Sequence, residues 1–358
     1  MIPILYKSNE TEFVSNGLGR LYDATDCIVT EERNGIYELQ FSYPITGINF
    51  SKIVPGSIVG VVHNETNTIQ PFDIVSYSRP IDGVVSFFGV HISYRLNNIV
   101  ASGTNINSLQ DAIELLATGQ PTNPFSFETN FVSPGYMAAA DGIPRTVRSL
   151  IGGVEGSILD TYGGELLFDK FDVNLLKARG KRSDYTIRYG VNLTQYDEDA
   201  DYSEAYSAAV PYWSGPDANN NPVLVKGGLV PTGLKMHTGR VTAVPLNLTD
   251  KFKNPPTAAQ LEALALNLMR DNQTNLPQRT ININFLSISN ALDYEEVTAL
   301  ENCNLCDSVN VVFPRYNIYG NFKIVKTVYD VLRERFQSFE LGSLSPSLAD
   351  SLGIKNTL

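Results

Sequence analysis

The dipeptide Asn34-Gly35 stands between Cys27-Ile28-Val29-Thr30 and Ile36-Tyr37-Glu38-Leu39-Gln40-Phe41, and no other short signal limits the fold as tightly. It predicts a type I′ hairpin turn, whose two central positions both need φ > 0. The second run puts Tyr37, Leu39, Phe41 and Tyr43 on one side and Ile36, Glu38 and Gln40 on the other. Period two with one apolar face is a half-buried strand. Further strands are expected at Ser57–His63, Phe72–Arg79 and Val84–Tyr94, with turns at Pro55-Gly56 and Asp82-Gly83.

Helical spacing enters after residue 99. Ser108-Leu109-Gln110-Asp111 resembles a capping box, followed by Leu109, Ala112, Ile113, Leu115 and Leu116 on one face. Pro144 suits the first position of a second helix that Gly152-Gly153 ends, and a short helix is expected at Ser157–Tyr162 before Gly163-Gly164. Strands follow at Glu165–Phe168 and Asp172–Ala178, and again from 186 to about 250. A helix opens at Pro255-Pro256-Thr257 with Leu261, Leu264, Ala265 and Leu268 as its buried stripe. The strand Thr280–Ser289, a helical turn at about Tyr294–Leu300 and three last strands complete the reading.

The chain has 358 residues, 27 Lys+Arg against 38 Asp+Glu and a net charge of −11. With 43% hydrophobic residues it can bury real cores, and an acidic chain without a basic cluster lacks the footprint for gripping phosphate backbones. Cys27 stands alone, Cys303 and Cys306 form one C-x-x-C without a second pair, and His63, His91 and His237 are far apart, so buried thiols are expected and no metal or cofactor. Nucleophile elbows, H-E-x-x-H helices and P-loops are absent, and the glycines of Gly152–Ser157 lack phosphate-loop spacing. Asp197, Asp199 and Asp201 fit the first positions of a calcium loop, but Tyr202 and Ala208 stand where Gly and Glu are required, which leaves a solvated turn. No export signal or membrane anchor is seen, which implies synthesis in the cytoplasm.

A weak repeat runs through the chain. Ser57-Ile58-Val59-Gly60-Val61-Val62 resembles Ser308-Val309-Asn310-Val311-Val312-Phe313 at an offset of 251, and Phe72-Asp73-Ile74-Val75 resembles Phe322-Lys323-Ile324-Val325 at 250. Each block then passes an Asp-containing turn (Asp82, Asp330) into an aromatic strand ending in Gly89 or Gly342. Two related β-modules in one chain would let a ring of three chains present six, a match for a sixfold partner.

Longer blocks resemble the tail-tip hub proteins of long-tailed phages and prophages of Gram-positive bacteria, the prophage tail or tail-associated lysin N-terminal region. They are Asn34–Pro44, Glu155–Asp169, Lys177–Gly180, Ile187–Leu193, Leu305–Val309, Tyr329–Arg335 and Glu340–Gly342. The resemblance implies a mainly β fold with α+β inserts, like the central hub of contractile-phage baseplates: two tail-tube-like β-barrel modules plus two smaller α/β domains. The expected division is 1–98 for the first barrel module, 99–185 for an α/β insert, 186–250 with 303–345 for the second barrel module, 251–302 for a small α/β insert and 346–358 for a C-terminal tail. The signature residues are Asn34, Gly35, Tyr37, Tyr43, Pro44, Gly56, Glu155, Gly156, Asp160, Gly163, Gly164, Asp307, Arg335 and Gly342. Gly35, Gly56, Gly163, Gly164 and Gly342 are read as turn and cap positions.

On this resemblance the chain is a non-enzymatic structural hub at the virion tail tip. It would be a homotrimer beneath the hexameric distal tail protein, with tape measure protein or lysin and receptor-binding modules nearby, closing the tube and opening for DNA passage. The acidic balance adds the expectation of a negative channel face past which DNA slides without specific binding. The competing readings are a peptidoglycan hydrolase built on a carboxylate pair and a carbohydrate-binding receptor module, the latter suggested by the Tyr and Asn content.

Overall fold

The computed structural model describes residues 1–81, 83–188, 193–217, 219–285, 303–313 and 318–342. Asp82, the stretch Gly190-Val191-Asn192, residues 286–289 of the expected strand, the turn at Tyr294–Leu300 and the tail 346–358 lie outside them. The described residues form two compact units, one within Met1–Arg95, Glu165–Asp197 and Ile281–Gly342, the other within Leu96–Gly164 and Glu198–Thr280.

The first unit is a β structure. Its N-terminal strands are β1 (Ile4–Tyr6), β2 (Gly19–Arg20), β3 (Asp26–Glu32), β4 (Tyr37–Pro44), β5 (Ile58–Val61), β6 (Gln70–Ser78) and β7 (Val84–His91). They lie in the order β3-β4-β7-β6-β5-β1-β2, antiparallel throughout. The alternation in β4 sends Tyr37, Leu39, Phe41 and Tyr43 into the core, where Phe41 stacks on Phe87 with ring centroids 5.0 Å apart. Burying such side chains stabilises by roughly 2–3 kcal/mol each.

The turn between β3 and β4 is not type I′. Pairing ends at Glu31↔Tyr37, the Gly35 amide donates to the Glu32 carbonyl at 3.1 Å, and only Asn34 is left-handed, at φ 58. The loop is longer than two residues, so positive φ falls on one central position, as in a type II turn.

Six further strands repeat the layout. Leu193–Asp201, Gln278–Phe285, Arg335–Gly342, Ile318–Asp330, Ser308–Phe313 and Arg182–Arg188 follow one another in the places of β3, β4, β7, β6, β5 and β1, with Ile318–Asp330 antiparallel to both its neighbours in this set and Arg182–Arg188 parallel to Ser308–Phe313. The two sets join where Lys326–Asp330 pairs with β3, giving one sheet of thirteen strands. No closed barrel is traced among the described residues.

From Gly56 to Val75 the repeat holds at one offset, 250, and in the strand that follows it becomes 252. Val59 faces Phe72 as Val309 faces Phe322. The Ile74 amide donates to the Ser57 carbonyl at 2.9 Å, and that of Ile324 to Asp307 at 2.8 Å. Gly56 and Cys306, at φ 84 and 72, both donate back to the carbonyl of that isoleucine. Both long strands are bulged at the next residue, Val75 and Val325. Aligning Ser57 with Ser308 is therefore wrong by one, because Asp307 takes the place of Ser57. Likewise Leu341, not Gly342, occupies the place of Gly89, opposite the isoleucine before the bulge.

In the second unit, α1 (Leu109–Ala117) is capped by Ser108, whose hydroxyl accepts from the Asp111 amide at 3.2 Å. Helix α2 (Val147–Ile151) starts later than Pro144 suggests, because Thr146 supplies the cap and Arg145–Thr146 is paired with Val100–Ala101. Helix α3 (Ile158–Tyr162) stops at Gly163, at φ 69. Helix α4 (Ala258–Asp271) carries a full capping box between Thr257 and Gln260 and packs Leu261, Ala265 and Met269 against Trp213 and Leu246. Trp213 lies on the strand Ala208–Pro216, and its indole donates to the Phe252 carbonyl at 2.8 Å.

Candidate functional site

Three segments of the first unit meet around buried charge. Strand β3 alternates inward Cys27, Val29 and then Glu31, so a carboxylate occupies an apolar phase. Arg179 reaches it with Nη1 2.7 Å from Glu31 Oε1, and the same guanidinium binds Glu65 and the Leu166 carbonyl. His63 Nε2 lies 3.5 Å from Glu31 Oε2 and 3.1 Å from the Tyr37 hydroxyl. Beside this group, Glu165 takes the Arg179 amide at 2.8 Å and Lys323 Nζ at 2.5 Å, with Arg33 at 3.7 Å.

Burial alone would raise the Glu31 carboxyl. The Arg179 charge, followed by His63, outweighs it and holds the group at about 2. Burial, then the Glu31 charge, pushes the Tyr37 hydroxyl well above its ordinary value. Such a cluster costs desolvation and contributes little net stability, but removing one partner strands the others. What it does is fix geometry: it pins the 165–181 segment onto both β-modules.

The backbone supports the same contact. A Cβ on Gly180 would fall 1.9 Å from the Cys306 carbonyl oxygen, so only glycine allows this approach. Next to it the Lys181 amide donates to Asp307 Oδ1 at 2.7 Å, while Asp307 Oδ2 accepts from Asn304 at 2.9 Å.

The signature residues divide between the units. Asn34 accepts the Leu166 amide at 2.8 Å, Tyr37 stacks on His91 at 4.2 Å, and Asp307 binds Lys181, so these three border the cluster. Tyr43 donates to Asp23 at 3.0 Å away from it, Pro44 ends β4, and Arg335 is an exposed strand start. Gly56 is left-handed and an added Cβ there would meet nothing within 4 Å, whereas Gly35 and Gly342 are not left-handed. Gly342 is limited by space, because an added Cβ would meet Val325 at 2.8 Å.

In the second unit, Gly156 is left-handed against Ala138 and donates to Asp160 at 2.6 Å; Gly163 and Gly164 follow α3. Glu155 is exposed, and burial and then Asp250 raise its carboxyl, while burial raises that of Asp160.

Glu31, Arg179, Glu165 and Lys323 were not singled out as site residues, although Arg179 and Glu165 lie inside the resembling blocks Lys177–Gly180 and Glu155–Asp169; a further signal was a Glu in the inward phase of β3. Cys27, Cys303 and Cys306 are buried thiols outside any disulfide, and burial pushes the Cys306 thiol up to about 12. No group of His, Cys, Asp and Glu suited to a metal occurs among the described residues. Asp197–Asp201 is the end of a strand rather than a turn. No described helix is long and apolar enough to cross a membrane.

No protein-family model matches the chain, and no curated protein matches it. Solved structures do. A prophage tail protein from Listeria monocytogenes superposes with a TM-score of 0.66 at 14% identity, over 99% of this chain and 98% of that one. A tail protein of a Shewanella oneidensis prophage gives 0.62 at 12%, over 98% and 100%, and one from Neisseria meningitidis 0.61 at 11%, over 96% of each. The chain has the fold of these tail proteins.

Proposed function

We propose that this protein is a structural, non-enzymatic component of a phage-type tail, acting as the hub at the tail tip. The observation that carries this reading is the end-to-end likeness in fold to three tail proteins. The duplicated β-module supports it. Three copies would set six similar modules around one axis, matching a hexameric distal tail protein above, with tape measure protein, lysin or receptor-binding modules as neighbours. In that ring each barrel-like module would line a tube that closes and then opens for DNA, the negative balance keeping the passing DNA from sticking.

Light scattering after size exclusion, followed by electron microscopy with the distal tail protein, tests this. A threefold ring seated on the sixfold partner is expected. A chain that stays single and ignores that partner at high concentration overturns the reading, and release of fragments from peptidoglycan by the purified chain would move it to the hydrolase class.

A further inference from the structure

The internal duplication leaves two strand edges unequal. In the second module, the strand Ile318–Asp330 pairs with Ser308–Phe313 over its first half. Past the bulge at Val325 it gives the same edge to β3, from Lys326↔Glu32 to Asp330↔Ile28. In the first module, β6 pairs with β5 as far as Asp73, is bulged at Val75, and beyond that pairs with β7 alone among the described residues. Equivalent side chains record the difference: Thr327 is 3% exposed and Tyr77 is 42% exposed.

The other half of the joint is open as well. The strand in the place of β3 is Leu193–Asp201, which ends the sheet and, among the described residues, pairs with Gln278–Phe285 alone. Its Asp197, Asp199 and Asp201 are exposed. Each chain thus makes one such joint internally and, among the described residues, carries both halves of another with no strand between them. Charge agrees: the internal joint holds Lys326 2.8 Å from Glu32, while the open halves carry Arg79, lying 4.4 Å over the Tyr77 ring, and the acidic strand end.

We propose that Ser76–Ser78 of one chain receives the edge strand Leu193–Asp201 of a second copy, so that the joint between chains repeats the joint within a chain. Such head-to-tail pairing continues from copy to copy and ends only by closing on itself. Closure at three copies rests on the hub reading; the pairing of these two edges does not.

Disulfide trapping in the full chain tests it. Tyr77→Cys is combined in turn with Asp197→Cys, Asp199→Cys and Asp201→Cys, three positions that cover the register, since paired strands bring Cβ atoms within disulfide reach. The native thiols are buried. At least one pair is expected to give covalent multiples of the chain on mild oxidation, with each single variant and Tyr77→Cys with Tyr22→Cys giving none. Tyr77→Glu, placed against the acidic strand, should weaken self-association at least about tenfold by sedimentation, with an unchanged circular dichroism spectrum.

Oligomers that form without cross-linking in any pair would overturn the joint and leave the hub standing. Chains that remain single and uncross-linked overturn the joint, the acidic edge then acting to repel added strands. Cross-linked but open chains, with no closed ring, would uphold the joint and contradict the hub.

Discussion

The turns Val54–Ser57 and Asn304–Asp307 have one backbone and two chemistries. Both are closed by the same hydrogen bonds, at 2.9 Å and 3.1 Å, and both place a left-handed residue before the strand. The first uses Gly56 and a hydroxyl, Ser57, reaching back to the Val54 amide at 3.4 Å; the second uses Cys306 and a carboxylate, Asp307, reaching back to Asn304 at 2.9 Å. The first faces open space, while the second is covered by Gly180 and its neighbours. Duplicated backbone therefore does not mean duplicated duty: one copy only starts a strand, and the other also receives the buried 179–181 segment.

The comparison breaks most visibly at Arg179. Arg179→Met should cost about 3–5 kcal/mol in urea unfolding, since Glu31 is left buried without its cation, and pairing it with Glu31→Leu should recover much of that. No counterpart substitution in the first turn should approach it.

Acid gives an effect of similar size. Glu31 is held near 2 against an ordinary 4.5, so its contribution is full above pH 4.5 and is lost as pH falls toward 2. Stability followed from pH 6 to 2 should fall through this window by on the order of 3 kcal/mol from this group, and Glu31→Gln should flatten that part of the profile.

Asp307→Ala should cost about 2–3 kcal/mol and Ser57→Ala about 1, because the carboxylate serves two backbone amides and the hydroxyl one. Equal losses in chemical denaturation would show that the turns are interchangeable after all.

The smallest contrast lies at the left-handed positions. Gly56→Ala should destabilise by about 1 kcal/mol through backbone strain alone, as nothing lies within 4 Å of the added carbon. Cys306→Gly trades relief of that strain against lost burial and should shift the melting temperature less.

The strands of the first module could be read because their signals are local: alternation in β4, and glycine or proline turns between runs. The repeat was also visible, though one residue out of register at Ser57, since sequence similarity favoured matching serines while hydrogen bonding matches Ser57 to Asp307. The type I′ turn was misread because Asn34-Gly35 fits more than one loop length, and only the strand pairing decides between them. Arg179 could not be found in this way. Its partners lie 148 and 114 residues away, and no periodicity reports a contact of that range. Glu31 announced itself only as a misplaced charge.

The junction of Lys326–Asp330 with β3 also limits how the molecule can move. Side chains alternate faces, so a slip of one residue would turn Glu31 away from Arg179 and Thr327 out of the core; the nearest permitted slip is two residues, about 7 Å along the strand. The modules cannot glide past one another in small steps. Any parting of them must proceed by unzipping, bond after bond from one end, which makes the junction a catch that is either engaged or released.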